Sequence, residues 1–254
     1  MGAKLKSAFT LLELLVVIAI ITILAGLLLS AFSRSKQKAQ GTYCMNNLKQ
    51  MQIAWTLYAD DSSQVLVPNI GGAEADYLPN KSWVVGEVFA LPDETNTLLL
   101  TGSLLGPYTK NPAIYRCPGD PDLQRVRSIS MNDYMHPNAT NVNPDFVLYT
   151  RATDIAHPSS SFVFLDERNT TINDGFFAVA LTTNFDDIGV GDLPASYHGS
   201  SAGFSFADGH VLLKRWQTPE LQDPKLQAGE FLPDNADWEW VMENATVPVG
   251  GSWP

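Results

Sequence analysis

The chain has 254 residues, a formal net charge of −11 and 45% hydrophobic residues. That apolar content supports a packed core and excludes global disorder, while an acidic surface repels phosphate, so no nucleic-acid partner is expected. Two cysteines are too few for a zinc ribbon or a disulfide-dense scaffold and suffice for one bridge.

The first predicted element is the apolar run around Leu14–Leu29, which carries no charge and only one polar residue, Thr22. With its flanks it exceeds 20 residues, long enough to cross a hydrocarbon layer of ~30 Å at ~1.5 Å per helical residue. Nothing after residue 33 compares with it, which predicts a single membrane segment. A cleaved secretory signal has a shorter apolar core, roughly 7–15 residues, and a small-x-small cleavage site. A plain anchor explains the length but not Glu13, a carboxylate inside the apolar block. At the bilayer centre such a group costs roughly 2.5–3.5 kcal/mol, so it requires a partner.

The segment Lys4-Leu-Lys6-Ser-Ala8-Phe9-Thr10-Leu-Leu-Glu13-Leu resembles the N-terminal signal of type IV pilins and type II secretion pseudopilins. The resemblance implies a leader over residues 1–8, cut by a prepilin peptidase between Ala8 and Phe9, with methylation of the new terminus. Glu13 then pairs with the α-amino group of a neighbouring subunit's Phe9 and sets register during assembly. Family departures are Ala8 where Gly is usual, and Ser30 where a proline is common. Charge alone, with Lys4 and Lys6 before the span and Arg34, Lys36 and Lys38 after it, favours the opposite topology. The resemblance instead implies a single-pass protein of the bacterial inner membrane. Its head would lie in the periplasm or on an extracellular filament.

Helical periodicity continues beyond the apolar run. Cys44, Leu48, Met51, Trp55 and Tyr58 step by four or three residues as one stripe, with Asn and Gln on much of the other face. One helix from about Phe9 to Tyr58 is predicted. Its hydrophobic part is 9–33 and its amphipathic continuation 34–60. From Asp60 the texture becomes turn-rich, with strand candidates at Ser82–Val88, Ser128–Asn132, Phe162–Asp166, Gly175–Ala180, Gly203–Ala207 and His210–Trp216. The expected fold is α+β and pilin-like: a long N-terminal helix packed on an antiparallel sheet, with a β-rich head over 61–217 and a loop-rich tail over 218–254.

Cys44 and Cys117 are separated by 73 residues in sequence, and a bridge between them would stabilise the fold by ~4 kcal/mol. The oxidising compartment implied by the pilin resemblance makes a Cys44–Cys117 disulfide the expectation, with two buried free thiols as the alternative. A narrower resemblance covers residues 4–217, to bacterial prepilin-like proteins with a C-terminal H-x9-D-G element. It is carried by Cys44–Gln50, Arg116–Asp120, Ser128–Asn132, Phe164–Glu167 and His198 to His210. It names a family rather than an activity.

Asp208-Gly209 between apolar alternations predicts a two-residue hairpin turn. Phe206 would then face Val211, Phe204 would face Leu213, and all four would share one face. His198 with Asp208 and His210 is one conceivable metal set, but the tight turn gives no reason for His198 to join it. The expectation is that His198 hydrogen-bonds backbone near the hairpin. Gly199-Ser-Ser201-Ala-Gly203 matches G-x-S-x-G in letters, yet a strand rather than a helix follows, against a nucleophile elbow. Asp186, Asp187 and Asp192 are weak calcium candidates, because major pseudopilins hold calcium in a C-terminal loop. Their spacing does not fit an EF-hand, and a solvated acidic loop is the plainer reading. No other cofactor is expected.

The leading expectation is a non-enzymatic structural subunit of a type IV pilus-like or type II secretion pseudopilus filament. Its partners would be the prepilin peptidase and other copies or other pilin-like subunits. The alternative is a membrane-tethered minor pseudopilin or surface module that binds polysaccharide or secreted cargo. Its tryptophans and tyrosines would serve as stacking platforms.

Overall fold

The computed structural model describes residues 10–71, 81–89, 91–137, 142–185, 188–251 and 253. Helix α1 (Leu11–Asp61) is continuous over 51 residues, about 76 Å. It starts at a capping box: the Thr10 hydroxyl accepts from the Glu13 amide, and the Glu13 carboxylate accepts from the Thr10 amide. Every residue from 10 to 39 is exposed. Burial begins at Gly41, where an added Cβ would lie 3.2 Å from the Leu213 side chain, so the hairpin packs closely on the helix there. Cys44, Leu48, Met51 and Trp55 are then fully or almost fully buried, as the stripe predicts. Asn47 and Gln52 correct the expected polar face, because both are buried. Asn47 donates to the Arg116 carbonyl at 2.9 Å, and Gln52 accepts from the Ser205 hydroxyl at 3.0 Å.

Among the described residues the head is built on one five-stranded sheet: β1 (Ile129–Asn132), β2 (Phe162–Asp166), β3 (Phe176–Phe177), β4 (Ser201–Phe206) and β5 (Val211–Arg215), ordered β3-β1-β2-β4-β5. Four of the six strand expectations are met closely. Gly175–Ala180 shrinks to two residues. Ser82–Val88 forms bends instead, with buried Trp83 donating its indole N–H to Asn69 and to the Gly175 carbonyl. The sheet is mixed rather than antiparallel, since β3 runs parallel to β1.

The hairpin register differs from the expected one by one residue. Ser205 faces Val211, Phe204 faces Leu212 and Gly203 faces Leu213. The cause is a three-residue connection: the Gly209 amide bonds the Phe206 carbonyl, Gly209 takes φ +92, and the Phe206 amide bonds the His210 carbonyl. A slip of one residue moves a side chain to the other face. Phe204 and Phe206 therefore lie opposite to Val211 and Leu213, not beside them.

The two faces carry two cores. The α1 stripe packs on one, with Trp83, Ile114, Tyr115, Met131 and Phe164. The other holds Phe162, Phe204, Phe206 and Trp216 against residues of the last forty, including Leu221, Trp238, Val241 and Met242. The segment expected to be loop-like thus contains helix α2 (Ala236–Glu243) and closes the second core. Polar anchors hold it there. Buried Arg168 donates to the Pro194, Leu221 and Asp223 carbonyls, and Asn132 spans from the Phe162 to the Ala245 carbonyl. The plan is that of a pilin-like α+β protein, a long N-terminal helix packed on a sheet.

Because Trp238 is wholly buried in that second core, Trp238→Ala should lower the stability of the head by about 3–5 kcal/mol in denaturant titrations of the full chain. Leu212→Ala, on a partly exposed strand position, should cost less than ~1 kcal/mol.

Candidate functional site

Two places carry the residues singled out from the sequence. The first is the start of α1. Ala8 and Phe9 lie outside the described residues. Glu13 sits one turn into the helix, and its Oε2 accepts from the Thr10 amide at 2.8 Å and from the Thr10 hydroxyl at 2.7 Å. The carboxylate is thus satisfied within its own chain. Beyond it the helix offers an uninterrupted exposed apolar surface, and this is a helix long and apolar enough to cross a membrane.

The second place is inside the head, where four segments distant in sequence converge. Cys44 comes from α1, Cys117 from the loop after a helical turn at Pro112–Tyr115, Asp166 from the end of β2, and His198 from the turn entering β4. Their ligand atoms, two Sγ, one carboxylate oxygen and one imidazole nitrogen, all lie within 4.8 Å of one another. Cys44 Sγ is 3.4 Å from Asp166 Oδ2. His198 Nε2 is 3.0 Å from Cys117 Sγ and 3.7 Å from Asp166 Oδ2. The His198 and Asp166 side chains have no exposed surface.

Local backbone chemistry explains how each group is aimed. His198, Gly199 and Ser200 all have positive φ, of 50, 77 and 62, a tight left-handed bend before β4. For His198 and Ser200 that conformation is costly and has to be held by its surroundings. Gly119 makes room for the ring, because a Cβ there would collide with His198 Cε1. The Gly119 amide donates to Cys117 Sγ at 3.4 Å, and the Cys117 amide donates to Ser128 Oγ at 2.8 Å. Gln40 and Asn47 on α1 hold the same loop through the Pro118 and Arg116 carbonyls. Asp166 Oδ1 accepts from the Gly203 amide, which leaves Oδ2 facing the sulfur and the imidazole.

The expected Cys44–Cys117 disulfide is corrected here: both cysteines are free. Instead of facing only each other, the sulfurs also meet the Asp166 carboxylate and the His198 ring as hydrogen-bond partners. The expected backbone contact of His198 is likewise replaced by this contact with Cys117. Asp208 and His210 lie apart as an exposed pair, Nδ1 to Oδ1 2.7 Å, with the His210 ring stacked on Phe206. Gly209 serves the hairpin turn, and its carbonyl accepts from Lys49 of α1.

Burial and the contact between the two thiols control the ionisation of the four groups. It pushes the Asp166 carboxyl up to about 6 and the His198 imidazole down to about 4. Cys44 is raised well above the ordinary thiol value, first by its hydrogen bond with Cys117 and then by burial; Cys117 is raised chiefly by burial. Such thiols are protonated and poorly nucleophilic, the opposite of an activated cysteine. Ser201, the central residue of the G-x-S-x-G letters, is buried at the first position of β4, with the bend before it and a strand after it.

Of the calcium candidates, Asp186 and Asp187 lie outside the described residues. Asp192 turns its Oδ2 to the Ala178 amide at 2.8 Å, and burial raises its carboxyl to about 7. A folded pKa above the unfolded value favours folding at low pH. That contribution is lost as pH rises from about 4 through about 7. Asp192→Asn keeps an acceptor for Ala178 and removes the titration. The variant should gain in Tm relative to the parent between pH 4.5 and 7.5, measured by thermal melts at both values.

Residues 4–29 match the family model described as the prokaryotic N-terminal methylation motif. No curated protein and no solved structure matches the chain. The match covers residues 4–8 of the expected leader and most of the apolar run, and so supports a type IV pilin-like signal at the N-terminus.

Proposed function

We propose that the chain is a structural subunit of a type IV pilus-like or type II secretion pseudopilus filament, cut between Ala8 and Phe9 and methylated on Phe9. The observation that carries this reading is the N-terminal half of α1. From Leu11 to Phe32 it is exposed and apolar around its circumference, it lies largely within the methylation motif, and it holds one carboxylate, Glu13, near its start. A helix that is hydrophobic all round needs lipid or other helices around it. Membrane insertion followed by bundling with neighbouring copies supplies both in turn. On this reading Glu13 exchanges its Thr10 contacts for the cationic terminus of an adjacent subunit, an ion pair that favours one axial register.

The alternative of an aromatic binding surface has less support. Trp83, Trp216 and Trp238 are fully buried, and Trp240 and Trp253 pack against the second core. Trp83 fills the core under α1, and the other four hold the C-terminal segment.

Intact-mass measurement of the full chain from membranes with and without a prepilin peptidase tests the processing step. The expected product lacks residues 1–8 and carries one methyl group on Phe9. Glu13→Ala should still be cut yet recover in sheared filaments at less than about a tenth of the parent level, as expected where one buried ion pair is worth ~1.4 kcal/mol or more. A chain that keeps its leader beside an active peptidase would contradict the reading.

A further inference from the structure

We propose that Cys44, Cys117, Asp166 and His198 bind one zinc ion as a closed structural site in the head. The inference is independent of the filament reading, because it concerns the fold of the head alone. The argument starts from the donor set. Two sulfurs, one imidazole nitrogen and one carboxylate oxygen are ligands that Zn²⁺ takes in four-coordinate sites. With Zn–S of ~2.3 Å and Zn–N or Zn–O of ~2.0–2.1 Å, tetrahedral geometry places unlike ligand atoms ~3.3–3.8 Å apart. Of the observed contacts, 3.4 and 3.7 Å lie within that range and 3.0 Å just below it, and all four ligand atoms lie within 4.8 Å of one another, so an ion fits with movements of up to about one ångström.

The surroundings support a metal-bound state of the same four groups. Asp166 divides its oxygens, one held by the Gly203 amide and one directed at the cluster. The Gly119 amide points at Cys117 Sγ, an N–H donor suited to a metal-bound thiolate. A side chain at Gly119 would collide with the His198 ring, and one at Gly203 would collide with Leu48 beside Cys44 while touching Cys44 Sγ and Asp166 Oδ1 at 3.4 Å. Four protein donors in a buried setting leave no open coordination position, the arrangement of a structural rather than a catalytic zinc site. Ligand exchange is written simply: Zn²⁺ enters, the two thiols each release a proton, and the imidazole and carboxylate donate as they stand, the latter releasing a proton where it holds one. No oxidant is needed, and thiolates held by zinc are protected from pairing as a disulfide.

The site would fasten α1 to the head. Cys44 lies three residues beyond Gly41, where burial of the helix begins, and its three partners come from loops and strands of the head. A metal there ties the helix that leaves the membrane to the domain it carries.

The test uses the full chain in detergent micelles, purified without chelators, with zinc determined by elemental mass spectrometry. The expected result is one zinc per chain. Both thiols should resist a disulfide reagent until a chelator is added, and the Tm should fall on chelation and recover with zinc. Replacement by Co²⁺ should give the visible bands of a tetrahedral site with sulfur charge transfer. Asp166→Asn and His198→Ala should each weaken zinc binding by at least ~10-fold, while His210→Ala at the exposed pair should leave it unchanged. These readouts on the unmodified chain stand even where a ligand variant fails to fold. Three results would overturn the proposal: a mass two hydrogens light from a Cys44–Cys117 bridge; no uptake of zinc or cobalt by the reduced folded chain; or loss of metal from His210→Ala.

Discussion

Helix α1 has to satisfy two solvents with one backbone. From Leu11 to Phe32 it exposes apolar side chains on every side; over its last twenty residues it buries one stripe and exposes much of the rest. A helix satisfies its own backbone hydrogen bonds, so it can pass from lipid to water without a break. What changes at Gly41 is packing. The sheet arrives there, and Leu48 and Met51, fully buried, each contribute about 1.5–3 kcal/mol by leaving water. The head is arranged around that seam. β2, β4 and β5 lie against the helix, and the loops that approach it are held by Gln40, Asn47 and Lys49.

The opposite face of the sheet raises the converse problem. A sheet buried on one side only would leave Phe162, Phe204 and Phe206 in water. The C-terminal segment covers them, with Trp238 at its centre and Trp240 edge-on to Phe204 at 5.1 Å. Short irregular segments carry carbonyls that need donors. Arg168 and Arg127 supply them as buried forks, Arg127 reaching the Gly86, Ile129 and Asp174 carbonyls. Burial lowers both guanidinium groups to about 10, still protonated at neutral pH, so the donors persist.

The cluster of Cys44, Cys117, Asp166 and His198 sits where the seam meets the strained turn into β4. Its four side chains enter from different elements, and each has a polar support behind it or a glycine beside it. Groups that resist ionisation alone become good ligands when a cation replaces their protons. The same geometry therefore accommodates both the protonated cluster and the proposed zinc site.

Local chemistry was legible in the sequence. The length and charge pattern of residues 4–29 mark a helix apolar enough to cross a membrane and a pilin-like signal, because lipid demands an uninterrupted apolar run. The 3–4 spacing from Cys44 to Tyr58 identifies the buried stripe, and Phe162–Asp166 was read to the residue because apolar runs between turns are strand-like. The segments around Cys44, Cys117, Asp166 and His198 were each noticed, but as separate family motifs. That they share one site was decided by tertiary structure, since nothing local encodes a contact across 122 residues. His198 is expected from its place before the hairpin to bond nearby backbone, whereas the left-handed bend at 198–200 turns it toward Cys117. The hairpin register escaped for a related reason: one residue in the αL region at Gly209 adds a residue to the loop and exchanges the faces of a strand. The sequence by itself determined the long N-terminal helix with its apolar first part and four of the strands. Only the packed fold decided which side chains meet, because those meetings depend on loop geometry summed over the whole head.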